Sequence, residues 1–161
     1  MKFTSFALSE IGKSHAQNED RYVRDERQGL FLIADGMGGH ASGETASQLA
    51  VDFVWDFVGR SRYGDVGWPA LDRKDLTPEQ TRRLAAVTLA NRRITSLSGR
   101  SPVIGRMGTT LVGALIEGDR LAIVNAGDSR AYRIRAERIA QITSDHSFVG
   151  EQQKSGMISR E

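Results

Sequence analysis

The clearest hydrophobic feature of the chain is an unbroken apolar run at residues 30–34 that stops at Asp35 and gives way to a glycine-rich turn. A short apolar run bounded by turn residues predicts a buried strand. Upstream, residues 21–26 are a second, short and polar candidate strand, paired to the first through a turn around Gln28-Gly29. Residues 2–9 alternate loosely and are a further candidate strand. After the turn, Ala46, Leu49, Ala50, Phe53, Val54 and Phe57 recur at three- and four-residue spacing, which predicts a helix over 42–59 with one broad apolar face and Gly59 ending it. Residues 60–76, with Gly64, Gly67 and Pro69, predict a surface connection. Thr77-Pro78-Glu79-Gln80 then reads as a helix start: a capping threonine, proline at the first helical position and a glutamine completing a capping box. Leu84, Val87, Asn91, Ile94 and Leu97 continue one face of that helix, and 98–105 is a loop.

The pattern changes in the second half. Segments 107–117, 120–126, 130–135 and 138–142 are short and β-rich, and Gly118-Asp119 and Gly127-Asp128 punctuate them, which predicts an antiparallel meander. From Asp145 the pattern turns helical. Two strand-rich regions with helices between them give an α+β class, helices laid on sheets. The chain stops at Glu161 while that pattern is still helical, and the last meander strand wants a partner.

Composition narrows the class. A chain of 161 residues, 39% hydrophobic and 26% charged, is one globular domain. The net charge of +2 and the lack of a long basic run argue against a nucleic-acid partner. Arg82-Arg83 and Arg92-Arg93 read as the solvated face of a helix. With no cysteine, disulfides and thiolate metal sites are excluded, and any metal must be held by oxygen or imidazole, which favours magnesium, manganese or calcium. The N-terminus lacks the apolar core of a signal peptide and no run has membrane-spanning length, so the expected location is cytoplasmic, with no membrane partner.

Three acid-bearing turns stand out at strand ends: Asn18-Glu19-Asp20, Asp35-Gly36 and Gly127-Asp128-Ser129-Arg130. A carboxylate at the tip of a buried strand is costly without a partner, and neighbouring glycines let the backbone approach that partner closely. Oxygen-ligated divalent cations need several such groups and usually keep waters. A pair of cations sharing a carboxylate can ionise a water as an in-line nucleophile for a phosphate ester. The ordinary alternative is that acids at turns are turn formers. That reading suits Asp119, is evenly balanced for Asp128, and fits Asp35 poorly. Gly36-Met-Gly38-Gly-His-Ala41 also matches a dinucleotide-binding fingerprint. There, however, Asp35 would repel the pyrophosphate, and the expected second parallel strand falls inside the 42–59 helix.

The strings Asn18-Glu19-Asp20, Ala34-Asp-Gly-Met-Gly-Gly-His40, Gly108-Thr109-Thr110, Ala126-Gly-Asp-Ser-Arg-Ala-Tyr132 and Ser144-Asp-His-Ser147, in this order, resemble the bacterial form of the PPM family of metal-dependent protein phosphatases (protein phosphatase type 2C). The resemblance spans nearly the whole chain. It implies a four-layer β-sandwich of two antiparallel sheets flanked by helices, and hydrolysis of phosphoserine and phosphothreonine in proteins with two Mg²⁺ or Mn²⁺ ions. By the same resemblance Asp35 bridges the metals, Gly36 offers its carbonyl oxygen, and Glu19 is a direct ligand. Asp20 orients a metal-bound water, and Asp128 helps hold a third, weaker metal. Gly108-Thr109-Thr110, Ser129 and Arg130 are scaffold residues. His40 is either a general acid for the leaving oxygen or a hydrogen-bonding residue of the turn.

Two features depart from the family pattern. His15 stands where the family places an arginine that clamps the substrate phosphate. Either protonated His15 makes a weaker, pH-sensitive clamp, or Lys13 or an arginine from elsewhere supplies it. The family also carries two further metal-binding aspartates in a C-terminal region, so the expected phosphatase domain over 1–161 is incomplete at its C-terminus, as a fragment or as a natural short form. The implied partner is a phosphorylated protein, with the enzyme opposing a serine/threonine kinase, and a monomer is expected. The alternative is a catalytically weak or inactive phosphatase-like module that binds a kinase or phosphoprotein.

Overall fold

Only alternate members of the 30–34 run are buried, because one face of the strand meets helices and the other does not. In the computed structural model, which describes residues 2–13, 16–38, 41–62, 64, 75, 78–98, 107–147 and 152, the run lies in strand β2 (Leu30–Met37). Leu30, Leu32 and Ala34 point to one face and are buried, while Ile33 and Asp35 point to the other and are exposed. β1 (Asp20–Asp25) pairs antiparallel with β2 through a turn in which Gly29 has φ +66°. A Cβ at Gly29 would also stand 2.4 Å from the Ile116 carbonyl oxygen, so both geometry and space require glycine.

On the other side of β2 lie β3 (Gly108–Thr109) and β4 (Leu111–Glu117), and β5 (Arg120–Ala126) completes the sheet in the order β1-β2-β4-β5. Gly36 pairs with Thr109 and Ile33 with Val112, so β3 and β4 keep a single register along β2, interrupted at Thr110. β4 and β5 are joined by the expected two-residue turn, with Gly118 at φ +64°.

Helix α1 (Ala41–Arg62) packs its apolar stripe on the inner face of this sheet, and α2 (Pro78–Ser98) packs on α1. Leu30, Leu32, Leu111 and Leu115 from the sheet meet Ala46, Ala50, Val51, Val54, Phe57 and Val58 from α1 and Ala85, Ala86, Ala90 and Ile94 from α2 in one core. The α+β class, with antiparallel sheets and flanking helices, is as the sequence implied. The outer face of the sheet carries Phe31, Ile33 and Tyr22 and floors a groove of about 400 Å³ rimmed by Phe6, Leu8 and Tyr132.

Several local expectations are corrected. Gly59 does not end α1, which runs on to Arg62 with Val58 and Ser61 buried. Gly59 is instead a point of close approach: a Cβ there would lie 3.2 Å from Gln28 Oε1, in a turn held by Gln28 and Trp55 side-chain donors to Asp25 Oδ2 at 3.0 and 2.8 Å. On α2 the buried stripe is alanine-rich and Asn91 is exposed, because small residues let the two helices approach closely. Residues 2–9 form no strand. They cross the outer face, where Phe3 meets Phe31 edge-on at 5.7 Å and Arg24 Nη1 donates to the Ser5 carbonyl at 2.8 Å.

The meander also divides. β6 (Tyr132–Arg135) and β7 (Arg138–Gln141) form a separate two-stranded hairpin rather than extending the main sheet. Residues 144–147 are not helical, since the His146 amide is drawn to the Gly127 carbonyl at 2.9 Å. Thr77 of the expected capping box and most of the 60–76 and 98–105 connections lie outside the described residues. No helix among the described residues is long and apolar enough to cross a membrane.

Candidate active site

The acid-bearing turns meet at one end of the sheet, with Asp20 and Asp35 on its outer face and Glu19 turned toward α1. Asp20, the first residue of β1, pairs directly with Asp35 of β2, and directly opposed residues of an antiparallel ladder project to the same face. Glu19 precedes Asp20, and Asp128 sits in the loop between β5 and β6. The Asp35 carboxyl is pushed above the ordinary carboxylate range, first by desolvation and then by the charges of Asp20 and Asp128, a side-chain hydrogen bond with Asp20 and the charge of Glu19. Asp35 thus feels three other carboxylates contributed by distant parts of the chain.

Each arm of the site is fixed by its backbone. Glu19 is held through its carbonyl oxygen, which accepts from Ser47 Oγ of α1 at 2.5 Å and from the Gly36 amide at 3.3 Å. Its side chain lies over the first turn of α1, where a Cβ on Gly43 would fall 1.7 Å from Glu19 Oε2. Gly36 packs as closely, with a Cβ position 2.1 Å from the Gly43 carbonyl oxygen. These two glycines let strand and helix come together with Glu19 packed beside them. The Asp20 amide donates to Asn18 Oδ1 at 2.9 Å. Arg21 clasps the same turn, donating to the carbonyls of Asn18 and Asp20 at 3.0 and 2.6 Å and pairing with Glu44.

Thr110 ties the Asp35 arm to the Asp128 arm. Its amide donates to the Asp35 carbonyl at 2.9 Å, and its hydroxyl accepts from the Asp35 amide at 3.1 Å while lying 2.6 Å from Ser129 Oγ. Gly127 has φ +104°, and a Cβ there would stand 2.8 Å from Thr110 Cγ2, so this glycine, more than Gly108, allows the close packing under the site. Asn125 Nδ2 donates to the Gly127 and Ser144 carbonyls at 3.3 and 3.1 Å, and Arg130 grips Asp145 through contacts of 2.6–3.0 Å. Ser129 and Arg130 therefore act as scaffold. Asn125, Ser47 and Gly43 were not singled out in the sequence: an asparagine in a strand and small residues on a helix carry no signal until the loops they hold are known.

The donor set fits a hard cation: carboxylates and backbone carbonyls, no thiolate, and a negative cluster whose self-repulsion a cation would relieve. Among the described residues no three acidic or imidazole side chains close on a single point. His15 and His40 lie outside the described residues. The strand–glycine turn–helix element is present, but the sheet around it is antiparallel, which removes the dinucleotide-binding reading.

This arrangement belongs to a phosphatase class: residues 11–154 match the family model for protein phosphatase 2C, and the chain is a member of that family. Among its relatives, the serine/threonine protein phosphatase PstP of Mycobacterium tuberculosis is 37% identical over 155 residues, 96% of this chain and 27% of PstP. The serine/threonine phosphatase stp of Listeria monocytogenes is 33% identical over 93% of this chain and 57% of its own length. Among solved structures, the catalytic domain of PstP in complex with two manganese ions superposes with a TM-score of 0.72 at 35% identity, covering 94% of this chain and 60% of that one. The chain thus spans less than two thirds of the length of these relatives.

Proposed function

We propose that this chain supplies the acidic metal-holding residues of a cytoplasmic phosphatase that hydrolyses phosphoserine and phosphothreonine in proteins with Mg²⁺ or Mn²⁺. The observation that carries the proposal is geometric: Asp20 pairs directly with Asp35 across β1 and β2, and Thr110 ties the Asp35 strand to the Asp128 loop. Desolvation, then the charges of Asp20, Asp128 and Glu19, raise the Asp35 carboxyl above its usual range. The manganese complex of a structural neighbour supports the same reading and favours turnover over a binding-only module.

In this reading Asp35 and Glu19 hold divalent ions directly, with the Gly36 carbonyl. Asp20 orients water and Asp128 serves a third, weaker position. Bound there, the ions supply Lewis-acid stabilisation of phosphoryl charge and activation of water. The protein's part is positional. Ser47 and the Gly36 amide fix Glu19, and Thr110 holds the Asp35 backbone and, through Ser129, the loop of Asp128. His15, or else Lys13 or an arginine, holds the substrate phosphate. His40 either protonates the leaving oxygen or braces the turn. The substrate is a phosphorylated protein, the product of a serine/threonine kinase, and the chain acts as a monomer.

The test measures Mn²⁺-dependent hydrolysis of a phosphothreonine peptide alongside Mn²⁺ binding by calorimetry, for the wild type and for Asp35→Asn. Substitution is expected to abolish both. Binding and turnover that survive it would remove the bridging role.

A further inference from the structure

The β6–β7 hairpin has two unlike faces. Arg135 pairs directly with Arg138, and Arg133 lies two residues earlier on β6 opposite Ala140, so the three arginines share one face. Tyr132, Ile134 and Ile139 occupy the other, and Tyr132 rims the groove over the main sheet. All three arginines are exposed, and none pairs with a carboxylate among the described residues.

Two local penalties coincide here. Like charges directly opposed across a ladder destabilise it. The turn between them places Ala136 and Glu137 at φ 48° and 62°, where hairpins ordinarily use asparagine and glycine. Protection of an edge strand by charge explains neither: a glutamate opposite Arg135 would protect the edge equally and attract rather than repel. A positive face kept at a cost to its own hairpin points to a negatively charged occupant.

The hairpin is rooted at the candidate site. Arg130, at its base, is locked to Asp145, and Asp128 is two residues earlier. By chain reach Arg133 lies at most about 17 Å, and Arg135 at most about 24 Å, from Asp128. An extended peptide with its phosphoresidue at Asp128 covers that span within about five to seven residues.

We propose that the face formed by Arg133, Arg135 and Arg138 docks an acidic or additionally phosphorylated stretch of the protein substrate, flanking the residue to be dephosphorylated. The proposal rests on the phosphoprotein reading above and specifies which phosphoproteins are preferred. A polypeptide fits better than a nucleic acid: the chain's net charge is only +2, and the arginine face carries no aromatic residue for base stacking.

The test is fluorescence anisotropy in metal-free buffer with two labelled phosphothreonine peptides, one with aspartates flanking the phosphoresidue and one with serines in their place. Wild-type protein is expected to bind the acidic peptide roughly tenfold more tightly at about 50 mM salt, with the advantage shrinking as salt rises. Replacing Arg133, Arg135 and Arg138 together by glutamine should reduce the advantage to about twofold or less while leaving the thermal midpoint unchanged or raised, because the Arg135–Arg138 repulsion is relieved. Should that variant misfold, Arg135→Gln alone is expected to lower the advantage by about a third on a logarithmic scale. Equal affinity of wild type for both peptides, or an advantage that persists in the variants, overturns the proposal. So does an oligodeoxynucleotide of equal length that displaces the acidic peptide at lower concentration than the unlabelled peptide does. Binding needs no turnover, so a flank preference in protein that hydrolyses nothing supports docking and counts only against the catalytic reading.

Discussion

Replacing Gly43 by alanine separates the fold from the site. The new methyl group would fall 1.7 Å from Glu19 Oε2 and 2.7 Å from its Cδ, and 3.0 Å from the Gly36 carbonyl carbon. A carbon needs about 3.5 Å or slightly less from such neighbours, so the Glu19 carboxylate must withdraw by roughly 1.5–2 Å. It can do so by rotating, because its backbone is held independently by Ser47 and Gly36. The rotation costs up to about 1 kcal/mol, and alanine in place of glycine in a helix returns up to about 1 kcal/mol. The Gly36 carbonyl carbon at 3.0 Å is backbone and must also give by a few tenths of an ångström, so the metal-free stability of Gly43→Ala should fall by no more than about 1–2 kcal/mol.

Metal response should change. Mn²⁺ at a hundredfold excess over its dissociation constant stabilises a protein by about 2.7 kcal/mol, and a tenfold loss of affinity lowers that to about 1.4 kcal/mol. For a chain of this size 1 kcal/mol corresponds to about 2–4 °C. Differential scanning fluorimetry with EDTA and with Mn²⁺ should thus show metal-free midpoints only a few degrees apart and about half the metal-induced shift in the variant. Gly36→Ala is the contrast. Its methyl would lie 2.1 Å from the Gly43 carbonyl oxygen, which cannot rotate away, and the metal-free fold should lose about 3 kcal/mol or more. A Gly43→Ala protein with an undiminished Mn²⁺ shift would refute Glu19 as a ligand. One that loses several kcal/mol without metal would refute the argument that the side chain does most of the moving.

Asp35→Asn should stabilise the metal-free protein near neutral pH. The folded-state pKa of Asp35 is raised, so its favourable contribution is complete below the unfolded value and is lost as pH rises through the folded value. Urea titrations should show the variant's advantage growing with pH over that window and vanishing in acid, and a pH-independent difference would contradict the cluster. Thr110→Val removes a buried hydroxyl that accepts from the Asp35 amide and meets Ser129, and should cost about 1–3 kcal/mol in chemical denaturation, with Ser129→Ala costing less because Ser129 is only half-buried. Gly113→Ala would put a methyl 2.7 Å from Leu32 Cδ2 and 3.1 Å from Val124 Cγ1 in the core, and should cost about 1–3 kcal/mol without altering the Mn²⁺ shift.

What the sequence revealed and what it concealed divide along contact distance. The 30–34 strand, its hairpin with β1 and the first helix follow from patterns a few residues long, and so does the suspicion attached to Asp35. The end of α1 was misjudged because Gly59 answers to Gln28, thirty-one positions away along the chain, rather than to local helix chemistry. The expected face of α2 holds at Ile94, Val87 and Leu97 but includes the exposed Asn91 and omits Ala85, Ala86 and Ala90, because alanines bury by closeness and not by hydrophobicity, which a periodicity argument weighs too lightly. The separation of β6–β7 from the main sheet is a question of strand partnership, on which alternation is silent.

The site shows the same division in its energetics. A lone Asp35 at a strand end is locally visible, but its repulsion from Asp20, Asp128 and Glu19 exists only once β1, β2 and the β5–β6 loop converge. Held together without a cation, such charges would spread apart unless fixed by their backbones. The structure fixes them twice, with Ser47 and Gly36 on the Glu19 side and Thr110 with Ser129 on the Asp35–Asp128 side. Both supports come from uncharged residues that a search for catalytic side chains passes over. Because they act on backbone atoms and leave the carboxylates free to meet an ion, removing one should disturb the site's geometry before it disturbs its charge.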